Sequence, residues 1–301
     1  MKRFALLFLF FATSLSANKT LHFSEELYDD IWVQKYKVNE ILFEDKSEFQ
    51  KVCVFENDFF GRVLAIDGII QTSEKDEFFY HEMLTHVPMF SHANPRNILV
   101  VGGGDGGVLR ELLKHPGVDA ITLVELDSTI IEISKKYMPS LSDGAFDHPK
   151  VKVVIEDGCK FVKANQNQFD VIIVDSTDPI GPAEVLFTSE FYGDCKASLK
   201  EDGILVCQNG VSFLQNEELV NSHKRREEHF KNSSYYLAPI PSYIGGSMAF
   251  GIASDKEGFN RFDEEVLEER MSTLEAPLRY YNPSVHVAAF SLPNYILNDL
   301  E

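Results

Sequence analysis

Five apolar runs separated by four helical stretches occupy residues 97 to 207, and no other feature of the chain restricts its fold as tightly. The runs are Asn97 to Val101, Ala120 to Val124, Val151 to Ile155, Phe169 to Val174 and Gly203 to Cys207. Gly107 to Lys114, Ser128 to Tyr137, Gly158 to Ala164 and Ser189 to Leu199 carry the helical patterning between them. Strands that are apolar along their whole length and alternate with helices specify a parallel sheet covered on both faces. Such a sheet holds its ligands beyond the carboxyl ends of its strands. An α/β fold with a mostly parallel, Rossmann-like sheet is therefore expected.

The flanks read differently. From about residue 20 to residue 72 the signal is strand-like, with patchy alternation over Ile31 to Phe43 and Phe49 to Phe55, and Gly61 to Gly68 entering a turn. This predicts a small N-terminal antiparallel β-domain. Asp76 to Phe90 reads as a helix with Asp76 as N-cap and Phe79, Met83, Leu84 and Val87 on one face. Tyr235 to Ser254 reads as two strands about a turn at Tyr243-Ile244-Gly245-Gly246. The expected division is an extension over 1–17, a β-domain over 18–75 and a catalytic domain over 76–301.

The 301 residues carry a formal net charge of −19. That balance argues against nucleic acid and anionic membrane surfaces as partners, and it suits cationic substrates or simple solubility. The four cysteines, Cys53, Cys159, Cys195 and Cys207, form no C-x-x-C pair, so neither zinc nor a disulfide framework is expected. Lys2-Arg3, the apolar run Phe4 to Ala12 and the small residues Ser14, Ser16 and Ala17 follow the order of a secretory signal. The run is too short to span a bilayer.

Two strand ends carry the chemistry. Gly102, Gly104 and Gly107 match G-x-G-x-x-G between a strand and a helix, a pattern that serves dinucleotides and S-adenosyl nucleosides alike. Asp105 inside that loop would repel a pyrophosphate or the carboxylate tail of S-adenosylmethionine, and would attract a decarboxylated tail ending in an ammonium. Glu125, after the second strand, is placed to accept both hydroxyls of a ribose. Asp157-Gly158, after the third, either serves an adenine or caps the next helix.

The run Val171 to Val174 leads into Asp175-Ser176-Thr177-Asp178-Pro179. A carboxylate there can bind an alkylammonium and take its proton as the amine attacks carbon. The competing reading is a turn with Asp as a backbone cap. A phenol from Tyr80 or Tyr243 would add a hydrogen bond. His81-Glu82-Met83-Leu84-Thr85-His86 has one residue too many for the zinc helix H-E-x-x-H, so no metal is expected. Lys224-Arg225-Arg226, among acids, reads as a solvated helix face.

Several of these stretches together resemble the spermidine synthases: Asp76 to Met83, Gly102 to Glu111, Asp175 to Ala183, Gln208-Asn209-Gly210 and Pro241 to Gly246. The resemblance runs from about residue 21 to the C-terminus. It implies an aminopropyltransferase with a small N-terminal β-domain and a methyltransferase-type Rossmann-like domain. It makes Asp175 the proton acceptor and lines the polyamine and aminopropyl site with Tyr80, His81, Asp105, Asp178 and Tyr243. It gives Gln50, Gly102, Gly104, Glu125, Asp157, Gly158 and Pro182 to the nucleoside, and makes the loop from Asp178 to Glu184 a gate. The substrates implied are putrescine and decarboxylated S-adenosylmethionine, with no cofactor and a homodimer or homotetramer. The family implies a cytoplasmic protein, with residues 1–17 an upstream start or inert extension; export is the alternative. Rival functions are an amine N-methyltransferase, a non-catalytic polyamine or nucleoside binder, and a nicotinamide-dependent oxidoreductase.

Overall fold

The computed structural model describes residues 20–28 and 31–301; the signal-like segment 1–17 lies outside them. Six antiparallel strands come first: β1 (Leu21–Tyr28), β2 (Trp32–Val38), β3 (Glu40–Lys46), β4 (Lys51–Asn57), β5 (Gly61–Ile66) and β6 (Ile69–Ser73). They form a two-stranded sheet, β1-β2, and a four-stranded one, β3-β4-β5-β6. Asp67 and Gly68 join β5 to β6, both at positive φ, which matches the twist of a tight hairpin.

The rest alternates: α1 (Glu77–Ser91), β7 (Asn97–Gly102), α2 (Gly107–Leu113), β8 (Ala120–Glu125), α3 (Ser128–Tyr137), α4 (Pro139–Ser142), β9 (Val151–Ile155), α5 (Gly158–Ala164), β10 (Phe169–Asp175), α6 (Ser189–Ser198) and β11 (Leu199–Val211). α7 (Asn216–Glu227), β12 (Asn232–Pro239), β13 (Ser247–Ser254), α8 (Glu264–Met271), α9 (Pro283–Ala289) and α10 (Asn294–Leu300) complete the described chain. The seven-stranded sheet has the order β12-β13-β11-β10-β7-β8-β9. β7 to β11 are mutually parallel, and β13 and β12 are antiparallel additions at one edge. The expected fold, mostly parallel with an N-terminal antiparallel part, is the one observed.

The two-residue period of the strands explains why their runs are continuously apolar. Ile98, Val100, Ile121, Leu123, Val171 and Ile173 point to one face, where Leu84 and Val87 of α1 and Val108 and Leu112 of α2 cover them. Leu99, Val101, Val124, Ile172 and Val174 point to the other, under Phe191, Tyr192 and Cys195 of α6. Each such fully buried aliphatic side chain contributes about 1.5–3 kcal/mol. The four-stranded sheet packs Val52, Val54, Leu64 and Ile66 on Ile130 and Ile133 of α3. That contact sets the β-domain against α3, the helix that follows β8.

Two local expectations need correction. Asp76 occupies the N-cap of α1, but its carboxylate does not cap the helix. It accepts from Ser73 Oγ at 2.6 Å and from the Ser242 N–H at 2.7 Å, tying α1 to the β12–β13 turn. The basic run on α7 is not uniformly solvated. Arg226 is fully buried, its Nη1 donating to Asn209 Oδ1 at 2.9 Å and its guanidinium 4.6 Å from the Tyr235 ring.

Candidate active site

The chain runs outward from β7 to β8 and β9, then returns to the other side of β7 with β10. Strand order therefore reverses between β7 and β10, and a crevice opens beyond their ends. Asp175 and Gly102 are register partners there. The Gly103 N–H donates to the Asp175 carbonyl at 2.8 Å. Gly102 has φ +82°, and a Cβ on it would fall on that same carbonyl oxygen. A glycine is required because two strand ends meet at backbone distance.

Asp105 closes the turn into α2. Its Oδ1 accepts from the Gly107 N–H at 2.7 Å, and its Oδ2 lies 3.2 Å from His81 Nε2. The other ring nitrogen, Nδ1, lies 2.6 Å from Glu77 Oε2. Burial alone would keep His81 neutral, yet the Asp105 and Glu77 carboxylates raise its pKa well above the usual 6.5. Asp105 responds in kind. Burial would raise it, but the His81 cation outweighs that, and the carboxyl falls below its ordinary range.

Asp175 faces the opposite balance. Burial, then the charge of Asp105, push its carboxyl up to about 6, against the pull of His81 and of the Tyr80 hydroxyl. That hydroxyl donates to Asp175 Oδ1 at 2.7 Å. Of the two candidate phenols only Tyr80 makes this bond; Tyr243 donates to the Gln71 carbonyl at 2.6 Å. Asp178 is also raised, by burial, with Gln215 and Gln208 opposing.

Glu125 ends β8 and is pushed up to about 7, chiefly by burial. Its Oε1 accepts from the Asp127 N–H at 2.9 Å. Gln50 Nε2 donates to Asp127 Oδ2 at 3.1 Å. Asp157 does cap α5, accepting from Cys159 N–H at 2.9 Å, and it lines the cavity as well, so neither of its two readings excludes the other. Gly104, Gly158 and Pro182 border the same space, together with Tyr80, His81, Gly102, Asp105, Asp175, Asp178, Tyr243, Gln50 and Glu125. One cavity thus gathers every site residue expected from the sequence.

Known proteins resemble the chain in both sequence and fold. Residues 77–264 match the spermine/spermidine synthase domain, and residues 21–74 the spermidine synthase tetramerisation domain. A polyamine aminopropyltransferase of Pectobacterium carotovorum is 48% identical over 268 residues, covering 89% of this chain and 93% of that one. That of Erwinia tasmaniensis is 47% identical over 89% of this chain and 94% of its own. The chain belongs to the spermine/spermidine synthase family. A crystal structure of spermidine synthase with the transition-state analogue AdoDATO superposes with a TM-score of 0.89 at 40% identity, covering 94% of this chain and 95% of that one. The spermidine synthase of Thermotoga maritima gives 0.86 at 38% identity.

Within this family member the cavity has a second polar end that sequence reasoning missed. Glu25 on β1 is buried and pushed up to about 7 by that burial, with Asp178 adding to it. Its Oε1 accepts from the Ile70 N–H at 2.8 Å, while Oε2 and the Tyr28 hydroxyl have no partner among the described residues. Gln71, Gln208 and Gln215 line this end too. The signal was an acid two residues from Phe23 and from Leu27, on the inward side of an alternating strand. Among the described residues, only His81, Asp105 and Asp175 bring three groups of metal-binding type within 4.8 Å. Both ring nitrogens of His81 already face carboxylates, leaving no lone pair to offer an ion. Among the described residues no helix is long and apolar enough to cross a membrane.

Proposed function

We propose that Asp175 is the proton acceptor of an SN2 aminopropyl transfer from decarboxylated S-adenosylmethionine to putrescine. The protein is a transferase, a polyamine aminopropyltransferase of the spermidine synthase type. In our reading the nucleoside lies across the ends of β7, β8 and β9. Glu125 holds its ribose, Asp157 and Gly158 its adenine, and Gln50, Gly102, Gly104 and Pro182 pack around it. Asp105 and His81 flank the aminopropyl tail, and Tyr80, Asp178 and Tyr243 line the diamine's path.

Putrescine arrives protonated, since an alkylamine has a pKa of about 10. As one ammonium passes its proton to Asp175, its nitrogen lone pair forms a bond to the methylene beside the sulfonium. The carbon–sulfur bond breaks, and its electron pair neutralises the sulfur. The products are spermidine and 5′-methylthioadenosine. A sulfonium is already a good leaving group, so the step needs alignment and proton removal and no redox or metal cofactor.

The observation that carries this reading is Asp175 itself, at the switch point, hydrogen-bonded to Tyr80 and raised to about 6. A base in that range is mostly ionised at neutral pH yet still takes a proton readily. Mass spectrometry of the products from putrescine and the decarboxylated nucleoside tests it. Spermidine and methylthioadenosine are expected in equal amounts, and methyl transfer from S-adenosylmethionine would overturn it.

We further take residues 18–75 as the assembly domain and 76–301 as the catalytic one, a division supported by the boundary between the two matched domains. The match to a tetramerisation domain supports a homo-oligomer. A cytoplasmic location suits the family's substrates, and N-terminal sequencing of fractionated cells checks it.

A further inference from the structure

Glu77 and Arg110 line no part of the cavity, yet they are bonded in series to a residue that does. Arg110 is anchored on α2. Its Nη1 donates to the Leu141 carbonyl at 2.7 Å and its Nε to Glu111 Oε1 at 2.9 Å. Its Nη2 donates to Glu77 Oε2 at 2.7 Å. The same Glu77 oxygen receives His81 Nδ1 at 2.6 Å. The far side of the ring meets Asp105 Oδ2 at 3.2 Å. A carboxylate on each ring nitrogen requires a proton on each, which is the imidazolium. The buried ring lies in the space that Gly107 leaves open, where a Cβ would overlap it.

We infer that Glu77, held by Arg110, is a positioning residue that keeps His81 cationic beside Asp105, so that Asp175 can stay ionised and accept the amine's proton. The inference rests on the proposed role of Asp175 as base. The groups facing His81 are Glu77 and Tyr80 from α1, Asp105 from the β7–α2 turn and Asp175 from the end of β10, with Arg110 of α2 behind Glu77. His81 holds the Asp175 carboxyl down against burial and Asp105. Losing the cation removes that support, so Asp175 would ionise only at higher pH.

Glu77→Gln tests the arrangement, because it preserves shape and removes charge. The acid limb of kcat/KM is expected to move up by roughly one pH unit, giving about a tenfold loss at pH 5 and less than twofold at pH 8.5. Glu77→Asp, which keeps the charge, is expected to restore the limb. Nitrogen-15 shifts of His81 in the free parent protein should report an imidazolium through pH 8, and in Glu77→Gln a ring that titrates below that. A neutral His81 in the parent at pH 7 would overturn the inference, even if the variant fails to fold. An equal loss of activity at every pH would also overturn it. An acid limb that persists in the residual activity of Asp175→Asn would instead remove the base assignment, while the His81 measurement would stand apart from that failure.

Discussion

The ends of β7 and β10 lie side by side and each leads into a partly buried aspartate, but the two are driven in opposite directions. At the β7 end Asp105 has a cation, His81, and a backbone N–H, and its carboxyl falls below the usual range. At the β10 end burial, and then the neighbouring Asp105 carboxylate, outweigh His81 and the Tyr80 hydroxyl, and Asp175 rises to about 6. A permanent anion and a poised base are thus made from the same residue type by the neighbours each receives. A static charge suits the tail of a cationic nucleoside. A titratable one suits the removal of a proton.

Neutralising each acid in turn should break the comparison most sharply. Asp175→Asn should lower kcat by about 10³-fold, within the range for loss of a general base, and leave nucleoside affinity near that of the parent. Isothermal titration with methylthioadenosine and a product assay separate the two effects. Asp105→Asn should act mainly on KM for the decarboxylated nucleoside, raising it roughly 10–100-fold, the worth of a charged hydrogen bond. If both variants lost only kcat, the division of labour between the two strand ends would be wrong.

pH sharpens the same contrast. With Asp175 as the proposed base, kcat/KM should rise through about 6 and be roughly tenfold lower at pH 5 than at pH 8. Stability should run the other way for this residue. Its folded pKa lies above the unfolded value, so the stabilisation from staying protonated is full below about 4 and is lost as pH rises through about 6. Asp175→Asn should therefore be more thermostable than the parent at pH 8, by on the order of 1–2 kcal/mol or about 2–8 °C, and indistinguishable from it at pH 4. Thermal melts at the two pH values check the sign.

The last expected effect concerns the glycine that gives His81 its place. Gly107→Ala should displace the ring and cost about 1–3 kcal/mol of stability as an overpacked site. The acid limb should shift with it. Thermal melting and a pH profile of that variant would show whether Asp105 keeps its partner.

Much of this was legible beforehand for identifiable reasons. The apolar runs of β7 to β11 announced a two-faced parallel sheet because every second side chain supports a different core. Gly102, Asp105, Glu125, Asp157 and Asp175 stood out because strand ends in such a sheet are binding positions. Glu25 was missed although it shares the period-two face of Phe23 and Leu27, because β1 loses its regular register between Glu25 and Tyr28 and an acid in such a strand reads as a solvent-facing residue. Arg226 misled for the converse reason. A basic run among acids looks solvated until Tyr235 and Asn209 are known to cover it.

The order of strands and helices, the glycine turn and the acids at the strand ends followed from the sequence by itself, because periodicity and turn chemistry are properties of neighbours along the chain. Which acid stays charged and which waits for a proton was decided only by the tertiary structure. The groups responsible stand 24 residues apart for His81 and Asp105 and 95 apart for Tyr80 and Asp175. Electrostatic work depends on distance through space and on exclusion of water, and neither is written in local order.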